Sequence, residues 1–186
     1  SGVRYQSTLQ TSDSNNKLIR SLIDSAIVDD AFVGWPQLNY EEHQAFTGGL
    51  SGISFYNGTI GVAFVLAHWD RYFQCHDSRD MVKRIINHAM DLSKANSALG
   101  FGLAGCAGML YAAHHIAQCG YPEAKKLVQH IVQCAGKTPI EHDEAFDVMS
   151  GVSHDITTLL HFADIYSIDD QVIHQCMAHL KDKCPD

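Results

Sequence analysis

Three stretches decide the fold: FYNGTIGVAFVLAHW at residues 55–69, GLAGCAGMLYAAHHIA at 102–117 and VMSGVSHDITTLLHFA at 148–163. Laid over one another on Gly58, Gly105 and Gly151, they stand 47 and 46 residues apart. A period of this size marks a stacked supersecondary unit. Each stretch opens on glycines or small residues and then turns helical. Apolar residues recur five, eight and eleven places after the anchor glycine: Ala63, Leu66 and Trp69; Leu110, Ala113 and Ile116; Ile156, Leu159 and Phe162. That spacing puts them on one helical face.

A second helix follows in each unit. Residues 77–92 carry Met81, Ile85, Ala89 and Leu92 at helical steps. Residues 122–134 open on Pro122, suited to a first turn. Residues 169–180 open on two acids, which suit the positive end of a helix. The expected architecture is therefore all-α: αα-hairpins of about 47 residues near 55–95, 102–136 and 147–183, stacked as an open solenoid or as part of a closed α/α toroid. A further helix is expected at 16–26, and an irregular connection at 30–54. No strand signal is read anywhere. Residues 1–15, polar and without an apolar run, read as a flexible lead-in, and 16–186 as one partial toroid domain.

Composition narrows the function. Hydrophobic residues make up 46% of the 186, enough for a real core. A net charge of -8 argues against nucleic acid or an anionic membrane surface as partner. No apolar run approaches the ~20 residues that span a bilayer. Cys75, Cys106, Cys119, Cys134, Cys176 and Cys184 form no CxxC pair, and several fall in helical patterns, where a free thiol packs as a small hydrophobe. Reduced thiols and a cytoplasmic location are expected. The sequon at Asn57-Gly58-Thr59 then reads as a turn.

The glycine-rich helix starts resemble the lanthionine synthetase C-like family, particularly the cyclase half of class II lanthipeptide synthetases. The signatures are Gly58-Thr-Ile-Gly61, Gly105-Cys-Ala-Gly108 and Gly151-Val-Ser-His154, where His replaces the second glycine. The stretch FDVMSGVS around Asp147 is similar to the family's element before an inner helix, and the likeness runs from about Trp35 onward. It implies a seven-hairpin toroid of which this chain supplies the N-terminal portion. It implies a cyclase that adds peptide Cys thiols to dehydroamino acids, giving lanthionine or methyllanthionine rings, with a precursor peptide and the remaining half of the toroid as partners.

The resemblance also implies zinc for the complete domain, held by two Cys and one His from later hairpins. No metal or other cofactor is expected in this chain, which is expected to be inactive alone. Asp147 matches the family's active-site aspartate, as acid/base or in substrate positioning. His154 is a candidate pocket residue. Asn57 stands where some relatives carry Asp.

Plainer readings stand beside these. Asp147 suits a helix start, where its carboxylate accepts backbone amides. Asp143 and Glu144 read as solvated. His68, His115 and His161 share one repeat position and read as packing residues, spread around the toroid rather than gathered. Cys75-His76 sits between hairpin helices and reads as a loop. Gly100, Gly102 and Gly105 spell GxGxxG, but no strand precedes them as a dinucleotide site requires. Ser153-His154-Asp155 cannot form a relay, because adjacent helical residues point ~100° apart. Two other classes remain: a non-catalytic helical scaffold that binds a peptide or protein, and an α/α-toroid glycosidase, which would need paired carboxylates facing one cavity.

Overall fold

The computed structural model describes residues 13–30, 32–40 and 46–183. Residues 1–12 of the expected lead-in and Cys184 lie outside the described residues. The elements in chain order are α1 (Asp13–Asp24), β1 (Ile27–Val28), β2 (Val33–Gly34), β3 (Pro36–Tyr40), β4 (Phe46–Leu50), α2 (Thr59–Phe73), α3 (His76–Ala95), α4 (Cys106–Gln118), α5 (Pro122–Cys134), α6 (Val152–Tyr166) and α7 (Asp170–Lys183).

The repeat is realised as three αα-hairpins, α2–α3, α4–α5 and α6–α7. Each leading helix starts one residue after its anchor glycine, at Thr59, Cys106 and Val152. The leading helices pack side by side, α2 on α4 and α4 on α6, and α3 packs on α5 behind them. Ala63, Leu66, Leu110, Ala113, Ile116, Leu159 and Phe162 are buried, as the spacing requires, while Trp69 and Ile156 are only half covered. On α3 the buried row runs Met81, Ile85, Ala89 and Ser93; the expected Leu92 is exposed. The four-residue step from Ala89 reaches Ser93, and the three-residue step to Leu92 turns outward.

The starts of the trailing helices follow their sequence. Pro122 takes the first turn of α5, and Asp77, Glu123 and Asp170 stand in the first turns of α3, α5 and α7. The turns between the helices of a hairpin differ. Gln74 and Ser167 close α2 and α6 in the left-handed region, whereas the second hairpin places Gly120 there. The first and second hairpins are tied by the buried carboxylate of Asp70, near the end of α2. It accepts Arg79 Nε at 3.0 Å and the Tyr121 hydroxyl at 2.8 Å. Tyr121→Phe leaves that acceptor short of one donor and should cost about 1–3 kcal/mol, read as a lower urea midpoint.

Two expectations need correction. The connection 30–54 is not irregular: β1 pairs antiparallel with β2, and β3 with β4 from Pro36↔Leu50 to Tyr40↔Phe46. The second ribbon is held by main-chain pairing with Leu38 and Leu50 left exposed, so no alternating buried pattern announces it. The helix before it begins at Asp13 rather than 16 and ends at Asp24 rather than 26. Trp35, between the ribbons, donates its indole N–H to Leu22 O at 2.8 Å and so ties α1 to the segment between β2 and β3.

Candidate functional site

The loops leading into α4 and α6 lie against each other. Leu103 N donates to Val148 O at 3.1 Å and Ala104 N to Met149 O at 2.8 Å. Gly102 sits in this seam at φ +69, where a Cβ would lie 2.7 Å from Met149 backbone atoms. Leading helices that start side by side in register bring the unpaired amides of their first turns to one end of the array.

Three aspartates serve that end. Asp147, exposed, accepts Met149 N at 2.9 Å and Ser150 N at 2.8 Å, both through Oδ1. Its Oδ2 makes no hydrogen bond among the described residues. Asp143 is buried, not solvated as expected: Oδ1 accepts Phe146 N at 3.2 Å, Oδ2 accepts Val152 N at 3.3 Å, and His179 Nε2 lies 3.6 Å from Oδ2. The chain turns back so that Asp143 reaches the first amide of α6, nine residues on. Glu144 is exposed as expected.

Asp155, on α6, is the third; the sequence reading weighed it only as a member of a Ser-His-Asp relay and gave it no other role. It is 4% exposed, and Oδ1 accepts Gly102 N at 3.3 Å. Burial raises its pKa from 3.8 to about 7, against the lowering effect of the Gly102 and Ala107 amides and with a smaller push from Asp143. The Ala107 amide belongs to the first turn of α4, so a side chain of the third hairpin serves a helix start of the second. A signal existed: four places after the anchor glycine the first two units carry Val62 and Met109, and the third an acid.

His154 stands half-buried in the first turn of α6, with Nε2 3.1 Å from the Thr158 hydroxyl. Burial lowers its pKa, so it is neutral at pH 7. Ser153 donates to Phe146 O at 2.7 Å while Asp155 turns to Gly102, so the three consecutive residues form no relay. Cys75 and His76 lie at the turn into α3, as read.

The histidines of the shared repeat position pack against aromatic rings: His68 on Phe64, His115 on Tyr111 and His161 on Phe162. Adjacent helices of equal register place His115 beside Tyr111 and Phe64, with ring centroids 4.5 and 6.1 Å apart, and Phe64 stacks on Tyr111 at 6.3 Å. His68 donates from Nδ1 to Phe64 O at 2.8 Å. His114 packs against Phe162 and bonds the Tyr166 hydroxyl. Burial lowers the pKa of His114 and His115, each helped by neighbouring histidines. The result is a largely half-buried shelf of rings across three leading helices.

A family model described as lanthionine synthetase C-like protein matches residues 49–184. The chain belongs to the lanthionine synthetase C-like family. The match spans all three hairpins and begins inside β4. The register of the glycine-led helices is therefore that of the α/α toroid typical of lanthionine synthetase C-like proteins. No curated protein matches the chain. No described helix is long and apolar enough to cross a membrane.

The metal that family membership implies finds no place among these side chains. Among the described residues no group of three or more His, Cys, Asp or Glu converges to hold an ion. Burial pushes the Cys176 thiol up to about 11 and raises Cys106 and Cys134, so these thiols pack as neutral groups.

Proposed function

We propose that this chain is the N-terminal portion of a lanthionine-forming cyclase, which presents a precursor peptide to chemistry completed by further hairpins. The family match carries the reading, and the shelf of rings across the three leading helices supports it by offering an aromatic surface for an extended peptide. Ring closure forms a bond between the peptide Cys sulfur and the β-carbon of a dehydroamino acid and breaks the C=C π bond. The thiol proton must leave, and the α-carbon must gain one. In this reading the open Oδ2 of Asp147 takes the thiol proton and returns one to the α-carbon, while Oδ1, fixed by two amides, sets the carboxylate's direction. His154, neutral and at the same helix start, lines the approach. The cytoplasm is the compartment proposed, consistent with thiols buried in helix packing.

A specific observation favours a second reading. Asp147 already has local work on two amides, as in a non-catalytic scaffold that only binds peptide. Mass spectrometry of a dehydrated, Cys-containing peptide, with alkylation to count unclosed thiols, tests both. This chain alone should leave the thiols free, and ring closure by it would overturn the fragment reading. In a protein carrying the remaining hairpins, Asp147→Asn should slow closure by about 10²–10⁴-fold without unfolding. Unchanged closure there would remove Asp147 from the chemistry and leave the scaffold role.

A further inference from the structure

Behind the helix-start loops lies a cavity of about 500 Å³ between the second and third hairpins. Phe101, Ile140, Leu159 and Val172 give it apolar walls. Asp155 is its buried carboxylate, and the exposed Glu141 and Asp182 line it as well. No Lys or Arg lines it; Lys137 acts on Cys134 without lining the cavity. His179, the one imidazole present, is engaged with Asp143. Neither Asp147 nor His154 lines it, so the cavity is separate from the groups assigned to ring closure.

We propose that this cavity is a binding site for a primary ammonium on a short apolar stem, seated with its nitrogen toward Asp155 and its stem against Leu159 and Val172. The argument is one of shape and sign. A concave space that pairs apolar walls with a few converging polar groups is an ordinary form of small-ligand site. Three carboxylates without a lining Lys or Arg select a cation, and a chain of net charge -8 adds to that field. The apolar walls reject a bare inorganic ion. A guanidinium needs more acceptors than Asp155 offers, since Oδ1 already serves Gly102.

Binding should be linked to protons. The groups facing Asp155 are Asp143 from the loop before α6, Cys106 on α4, and Cys176 and His179 on α7. Burial keeps the thiols protonated throughout the neutral range, whereas the Asp155 carboxyl changes charge within it. An arriving ammonium then releases a proton from Asp155.

Two probes separate the sources of such a group: n-pentylammonium stands for a free amine, and Nα-acetyl-lysine N-methylamide for a lysine side chain. Binding is followed by chemical shifts of Gly102, Leu159 and Val172 amides and by slower alkylation of Cys106, Cys134 and Cys176. Saturable binding of either probe is expected, the tighter one naming the source, with 1-pentanol and valerate failing to bind. Affinity should rise about tenfold from pH 6 to pH 8 as Asp155 ionises. Asp155→Asn should abolish that rise. Because that change also touches the start of α4, the double variant Glu141→Lys, Asp182→Lys is measured in parallel; it should weaken binding severalfold while leaving the helical dichroism unchanged. Equal binding of 1-pentanol, failure of both ammonium probes, or affinity indifferent to both variants would overturn the proposal.

Discussion

Gly108→Ala should destabilise the chain by several kcal/mol, enough to unfold it in water or bring its urea midpoint close to zero. A Cβ on Gly108 would lie 2.1 Å from Leu103 O and 2.7 Å from Leu103 C and Cα. All three are backbone atoms, so no side chain can swing away. Relief requires moving the loop that leads into α4, and that loop is bonded through Leu103 and Ala104 to Val148 and Met149. Overpacking at a yielding site costs about 1–3 kcal/mol, and here the obstacle is the Leu103 main chain. Against a total stability of about 5–15 kcal/mol, such a loss is decisive. Gly52→Ala is the control: nothing lies within 4 Å of its added Cβ. There the change should be neutral or stabilising by about 0.4–1 kcal/mol. Equal urea midpoints for the two variants would show that the loop yields and that the close approach is not what selects glycine.

The second large effect is the pH dependence that Asp155 brings. Its pKa is 3.8 ordinarily and about 7 when folded, so between these values the folded state holds the proton more tightly than the unfolded state. The stabilisation is fully present below about pH 4 and lost as pH rises through 7. Integrated, a shift of this size corresponds to about 4 kcal/mol. The wild-type urea midpoint should therefore fall between pH 5 and pH 8 relative to Asp155→Asn, whose profile lacks this component. The comparison is one of slopes, since the introduced carboxamide would face backbone N–H groups and lower stability at every pH. Parallel profiles would mean that Asp155 ionises in the fold as it does in water.

How much of this was legible in the sequence follows from what each residue depends on. The leading helices were readable because their period, glycines and apolar steps are local facts, and Thr59, Cys106 and Val152 start where the repeat places them. The ribbon of β3 and β4 was not, because main-chain pairing with Leu38 exposed leaves no imprint on side-chain order. Asp143 was misread for a related reason. An acid in a polar loop looks solvated until the fold brings Val152 N, Phe146 N and His179 around it. The gathering of Phe64, Tyr111 and His115 depended on neighbouring helices keeping equal register, which spacing alone does not state. Asp155 left the clearest trace, an acid where the other units carry Val62 and Met109. Reading it required comparing units by their differences as well as their likeness.

The reach of Asp155 across hairpins also bears on how the chain is made. Synthesis delivers α4 and α5 before α6, yet the amides of Gly102 and Ala107 have their acceptor on α6. Until α6 has left the ribosome, the Gly102 amide lacks its carboxylate acceptor, and the loop at 100–105 lacks the seam against Val148 and Met149. The second hairpin is thus finished by the third, and its folding runs one unit behind translation. A ribosome pause between α5 and α6 would leave exposed the side of α4 that packs on α6, and this is the interval in which a chaperone would find most to bind.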